Sequence, residues 1–95
     1  MLTASYSPGT SFSVPFYAAV QRIQRWLDLS RRRRTCDDAY SDLLLAAVEF
    51  GALNALVHAE PRALVRQAMA ADANQLMTEL LLFSHSLREA CRVPL

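Results

Sequence analysis

The sequence predicts a small all-α protein, and two features of the chain indicate this class. Its composition is 53% hydrophobic and 20% charged with only two glycines, so it has ample core material and little turn material. Apolar residues recur at intervals of three and four, which places them on one side of a helix. A length of 95 residues fits one domain. We therefore expect an antiparallel array of three helices, preceded by a disordered tail.

The first predicted helix follows an N-terminal segment that has no apolar periodicity. Residues 1–12 are rich in serine and threonine, which is typical of a flexible tail, and they lack the apolar stretch of a secretory signal. Ser13 is a suitable N-cap and Pro15 suits the first helical turn, so residues 13–95 are predicted to form a single helical domain. One face of this first helix carries Phe16, Val20, Ile23 and Leu27.

The second predicted helix begins after four consecutive arginines. Thr35 with Asp38 resembles a capping box, so the chain turns there and a helix runs over residues 37–58. Such a short turn makes the first two helices antiparallel. Residues 43–57 are apolar on nearly every side and too few to cross a bilayer. We expect a central helix that is buried on more than one face, and no membrane attachment.

The third predicted helix begins near Pro61 and extends to about Arg92. Asp72 followed by Gln75 resembles a second capping box. A split near Asp72 would give a fourth, short helix. One continuous helix is the preferred interpretation.

An apolar seam along this third helix is the main candidate for a functional surface. Its members alternate between spacings of three and four, as in helices that pack against another helix. Residues 80–83 are apolar around the whole helix, and two shorter helices would leave part of that surface uncovered. We therefore predict a homodimer or a complex with another protein, with a compact monomer as the alternative. The predicted interface residues are Met69, Leu76, Leu80, Phe83 and Leu87.

Arginine supplies all ten basic residues of the chain, whose net charge is only +1. Four arginines on the first helix would suit a phosphate backbone or an acidic protein surface. The alternative is an ordinary solvated face, in which Asp37, Asp38 and Asp42 pair with arginines across the turn. This second interpretation is preferred. The candidate anion or nucleic-acid patch is Arg22, Arg25, Arg32 and Arg33.

The two cysteines, Cys36 and Cys91, lie far apart and form no Cys-x-x-Cys motif. We therefore expect a reducing compartment, and a cytoplasmic location for the protein.

Residues suited to catalysis are few. His85 with Glu89 is the only pair with a spacing that would orient an imidazole, and such a pair is usually a surface contact. His58 lies at a predicted helix end, where a positive charge favours the helix dipole. We predict no catalytic residue, no metal site, no cofactor and no small-molecule substrate.

Residues 25–34 resemble the arginine-rich stretches of short bacterial helical proteins, but the rest of the chain does not continue the resemblance. No activity or residue role is transferred from it. The sequence therefore predicts a non-enzymatic interaction module, an adaptor, chaperone or regulator, that acts through the apolar seam. The alternative is a nucleic-acid-binding regulator that uses the arginine patch.

Overall fold

The computed structural model describes residues 13–92, and over those residues it contains three α-helices and no strand. Connections of three residues, 33–35 and 60–62, reverse the chain twice and make the array antiparallel. The all-α class is confirmed, whereas the predicted tail over residues 1–12 lies outside the described part. The helices are α1 (Ser13–Arg32), α2 (Cys36–Ala59) and α3 (Ala63–Ala90).

Helix α1 supplies the largest group of core residues. Its predicted apolar face is buried, because Phe16, Ile23 and Leu27 lose nearly all of their exposure to solvent. The ring of Phe16 packs edge to face against Tyr17, with centroids 4.8 Å apart. Helix α1 contacts α2 more extensively than it contacts α3. The core therefore lies mainly along the α1–α2 contact, and α3 closes it.

Helix α2 begins at the predicted capping box. Thr35 is its N-cap, and the Thr35 hydroxyl accepts a hydrogen bond from the Asp38 backbone N–H at 3.2 Å. Asp37 and Asp38 add negative charge to the first turn, where the helix dipole favours it. The predicted N-cap at Thr35 is confirmed.

Only one side of α2 is buried. Ala46, Phe50 and Leu53 point into the core, but Leu44 and Val48 on the opposite side are exposed. The prediction that α2 is buried on more than one face is wrong, because its buried residues recur every three or four positions and so share one side of the helix. An 18-residue window of α2, with mean hydropathy 1.4, meets the length and composition of a membrane span, and 28% of it is buried. Much of the apolar surface of α2 is therefore left outside the core.

Helix α3 is continuous, without a break at Asp72. The Asp72 carboxylate accepts a hydrogen bond from the Tyr17 hydroxyl at 2.6 Å instead of capping a new helix. Burial of Tyr17 is the larger cause that raises the pKa of its phenol well above the usual value, and the hydrogen bond to Asp72 is the second cause. The preferred interpretation of one long helix is confirmed.

The apolar seam of α3 packs inside its own chain. Met69, Leu76 and Leu80 are buried against the other two helices, while Phe83 and Leu87 are half-buried. At most 7% of each of the first three is exposed, so little of their surface is left for a partner, and their role as an intermolecular interface stays a prediction. Each such side chain stabilises the fold by about 1.5–3 kcal/mol.

The connection between α1 and α2 is stabilised by hydrogen bonds to a buried carboxylate. Asp42 accepts a hydrogen bond from the Arg33 guanidinium Nε at 2.6 Å, and this contact raises the pKa of the arginine. Ser30, also buried, donates its hydroxyl hydrogen to the Ala39 carbonyl at 2.7 Å. The predicted pairing of an arginine with an aspartate across the turn is confirmed for Arg33 and Asp42.

The connection between α2 and α3 has the same construction. Glu60 is 1% exposed and accepts hydrogen bonds from both the guanidinium and the backbone N–H of Arg62, at 2.7 and 3.0 Å. The Arg62 side chain lowers the pKa of Glu60. Arg66 donates to the Glu60 carbonyl at 2.8 Å, so one buried residue organises the whole turn.

A disulfide joins Cys36, the first residue of α2, to Cys91, just after α3. The two Cα atoms are 5.9 Å apart although 55 positions separate them in sequence. The antiparallel array explains this proximity, because the start of α2 and the end of α3 lie at the same end of the molecule. The sequence interpretation left these cysteines unpaired, and the structure corrects it.

Candidate protein-interaction surface

The outer sides of α2 and α3 together carry a group of exposed apolar side chains. Three large aliphatic side chains in it are mostly exposed: Leu44 at 65%, Val48 at 64% and Leu81 at 63%. An isolated exposed leucine is ordinary, but a contiguous group is typical of a binding surface. We call this group the α2–α3 face; its members are Tyr40, Leu44, Ala47, Val48, Met77 and Leu81.

A shallow groove runs along this face where the two helices diverge. Its volume is about 360 Å³, and its walls include Tyr40, Leu44 and Ala47 from α2 and Leu81 and Ser84 from α3. Every described residue lining it is uncharged. The groove has the dimensions and lining that accept apolar side chains from another helix.

Two of the charged groups of α2 are directed away from this face. Glu49 turns towards α1, where its carboxylate accepts from the Arg22 guanidinium at 3.2 Å. Asp42 is directed into the α1–α2 turn. Because the described residues that line the groove are uncharged as well, apolar side chains dominate the centre of the α2–α3 face.

Gly51 lies in the middle of α2, where glycine weakens a helix by about 0.5–1 kcal/mol relative to alanine. A Cβ atom added there would meet no atom within 4 Å, so the packing of this chain does not require glycine. The position is exposed, close to Ala47 and Val48 on the outer side of the helix. A small residue there leaves room for a second backbone to approach.

The candidate arginine patch is only partly available. Arg22 and Arg33 are held in ion pairs with Glu49 and Asp42. Within residues 13–92, Arg25 and Arg32 form no ion pair. Two free cations on α1 present less positive charge than the four that the sequence suggested.

The residues considered for catalysis lie on the surface and do not converge. His58 and His85 are both exposed, and the Glu89 carboxylate accepts a hydrogen bond from Arg92 at 3.4 Å. Among the described residues, histidine, cysteine and acidic side chains form no group of three that would hold a metal ion.

Over residues 13–92 the structure thus defines a three-helix α protein with an exposed apolar face on α2 and α3. No protein-family model matches the chain, and neither the curated proteins nor the solved structures provide a match. The surface itself is therefore the basis for a functional conclusion.

Sequence reasoning did not single out Leu44 or Val48 as contact residues, and it included Leu81 only within the apolar stretch of residues 80–83 that needs a cover. Because α2 is apolar on nearly all sides, its sequence has no periodic signal that separates the buried row from the exposed one. The excess of apolar residues on α2 is the signal that could have indicated an exposed apolar row. A helix that is apolar on two faces but covered on only one side must expose the other face.

Proposed function

We propose that this protein is a non-enzymatic helical interaction module, an adaptor or regulator, that forms a homodimer through the α2–α3 face. The observation that supports this best is the grouping of Leu44, Val48 and Leu81, each more than 60% exposed. The homodimer expected from sequence is retained, but its interface moves from the inner seam of α3 to the outer side of α2 and α3.

A second copy fits the outer sides of α2 and α3 in size. A helix rises about 1.5 Å per residue and is about 10 Å wide, so the full outer sides of these helices, of 24 and 28 residues, present a layer of roughly 700 Å², of which the α2–α3 face is the apolar part. A stable dimer buries about 800 Å² on each partner. Pairing the same layer from two copies gives a four-helix contact around a two-fold axis.

The chemistry of the face also suits self-association. Its central residues are apolar and uncharged, so a copy of the same face meets no like-charge repulsion there. Gly51 allows the two α2 helices to approach closely. Burial of a side chain that is now two-thirds exposed would contribute about 1–2 kcal/mol.

Nucleic-acid binding through α1 is the second candidate. The supporting observation is that Arg25 and Arg32 form no ion pair within residues 13–92. Two phosphate contacts predict weak binding and a shallow dependence of affinity on salt. Titration of DNA or RNA at low ionic strength tests this candidate, and the absence of binding there would remove it.

Adjacent leucines of α3 provide a matched test of the dimer. Leu81 and Leu82 are 63% and 65% exposed, but only Leu81 belongs to the α2–α3 face, while Leu82 lies near Arg31 and Glu79. Leu81→Asp would place a charge inside the interface, and we expect it to weaken dimerisation at least tenfold. Leu82→Asp should leave dimerisation unchanged.

Sedimentation equilibrium at tens of micromolar measures the effect, with circular dichroism to verify helicity. A wild-type protein that is entirely monomeric would contradict the proposal. Equal loss of dimer in both variants would contradict the location of the interface. Flotation of the wild type with lipid vesicles, abolished by Leu81→Asp, would assign the face to a membrane instead.

A further inference from the structure

A second cavity lies at the disulfide end of the molecule, and it shares no described lining residue with the groove of the α2–α3 face. It occupies about 340 Å³ between the end of α1, the first connection and the last turns of α3. Small-molecule sites in proteins typically have volumes of about 300–1,000 Å³. We call it the disulfide-end cleft.

The floor of the disulfide-end cleft is apolar. Phe83 and Leu87, both half-buried, line one side, and Ala39 lies opposite. Cys36 and Cys91 border the cleft and fix the end of α3 to the start of α2. The disulfide therefore holds two walls of the cleft together, so that the apolar floor is formed before any ligand arrives.

The rim of the cleft is basic. Arg31, Arg33 and Arg34 all line it, and none of the described lining residues is acidic. Arg33 is held by Asp42 at 2.6 Å, and Arg31 pairs with Asp28 while its guanidinium lies 5.2 Å from the centroid of Phe83.

Arg34 differs from these two neighbours. It is exposed, and it forms no ion pair or hydrogen bond with any residue in the range 13–92. Its guanidinium is planar and offers two parallel N–H donors, which match the two oxygens of a carboxylate. Asp37 and Asp38 lie in the first turn of α2 but do not line the cleft.

We propose that the disulfide-end cleft binds a small amphiphilic carboxylate of the fatty-acid type. The alkyl chain lies over Leu87 and Ala90, beside the Phe83 ring on which Arg31 stacks, and the carboxylate pairs with Arg34 at the rim. An apolar floor beside a free arginine fits a ligand that has both a tail and an anionic head. The inference does not depend on dimerisation, because the cleft and the α2–α3 face share no described residue.

Titration of the oxidised protein with decanoate, below its micelle-forming concentration, tests the proposal by amide NMR. We expect saturable shifts at Ser86, Leu87 and Cys91, which border the cleft. Decanol has the same tail without the charge, and it should bind at least about tenfold more weakly. Arg34→Gln should weaken decanoate binding to a similar degree.

Arg25→Gln is the matched control, because it removes the same charge from an exposed site on α1 outside the cleft. Its affinity for decanoate should equal that of the wild type. Equal weakening in both variants would overturn the proposal, since it would indicate general charge attraction. Absence of shifts, equal affinity for decanol, or shifts confined to Leu44 and Leu81 would also overturn it.

Discussion

The inner seam of α3 and the α2–α3 face are both apolar, yet the seam is buried and the face is exposed to solvent. Leu80 in the seam is 7% exposed, whereas Leu81, the next residue, is 63% exposed. The difference arises from helix geometry, because one residue turns the side chain by about 100° and moves it from the core to solvent. Apolar character alone therefore does not show which row of α3 forms the core and which is free to bind.

The largest expected effect comes from shortening a side chain of the seam. Leu80→Ala should reduce the free energy of unfolding by about 2–5 kcal/mol, because it leaves a cavity in the core. Leu81→Ala should change the free energy of unfolding of the dilute monomer by less than about 0.5 kcal/mol. Urea denaturation at low protein concentration measures both. Similar values for the two variants would contradict the assignment of inner and outer rows.

Loss of the disulfide has the next largest expected effect. Closing a loop of 55 residues restricts the unfolded chain, so the double variant Cys36→Ala with Cys91→Ala should lose about 2–4 kcal/mol of stability. Thermal unfolding of the oxidised, reduced and double-variant proteins measures this loss. Agreement between the reduced and double-variant proteins, both below the oxidised protein, is the expected outcome. Equal stability of all three would contradict a structural role for the bond.

The Cys36–Cys91 disulfide also bears on the predicted cellular compartment. Disulfides persist in oxidising compartments and are rare in the cytosol, so this bond favours an oxidising location over the cytoplasmic one expected from sequence. The cytoplasmic location stays a prediction. Counting free thiols in protein alkylated directly in the cell distinguishes the two, since a reduced protein would retain both thiols.

Removal of the Tyr17 hydroxyl, at the contact between α1 and α3, should have the smallest effect on the free energy of unfolding. Its hydroxyl donates to Asp72 at 2.6 Å, so Tyr17→Phe should cost about 1 kcal/mol. The pKa of Tyr17 is raised above the ordinary 10.0, so above that pH the unfolded chain ionises more readily than the folded one. Stability should fall as the pH rises past about 10, and less so in Tyr17→Phe. Identical pH profiles would contradict the contact.

Much of the fold was predictable because its determinants are local. The cap formed by Thr35 and Asp38 and the turn near Pro61 act within a few residues, so the sequence pattern contains them. Pairing of Arg33 with Asp42 was also predictable, since a short turn brings the two helix ends together. In each case the contact forms within the predicted turn.

The surfaces were less predictable because they depend on how the helices pack. The sequence of α2 does not show which of its apolar sides is buried and that Leu44 and Val48 stay exposed. The pairing of Cys36 with Cys91 could have been predicted from the topology, because an antiparallel array places those helix ends together. The local sequence pattern does not indicate it, since 55 positions separate the two cysteines.

Contacts between copies provide the most direct test of a homodimer formed through the α2–α3 face. In a sample prepared from isotopically labelled and unlabelled chains, filtered nuclear Overhauser spectra report only proximities between different molecules. We expect intermolecular contacts among the methyl groups of Leu44, Val48 and Leu81. Intermolecular contacts at Met69 and Leu76 instead, or their complete absence at tens of micromolar, would contradict it.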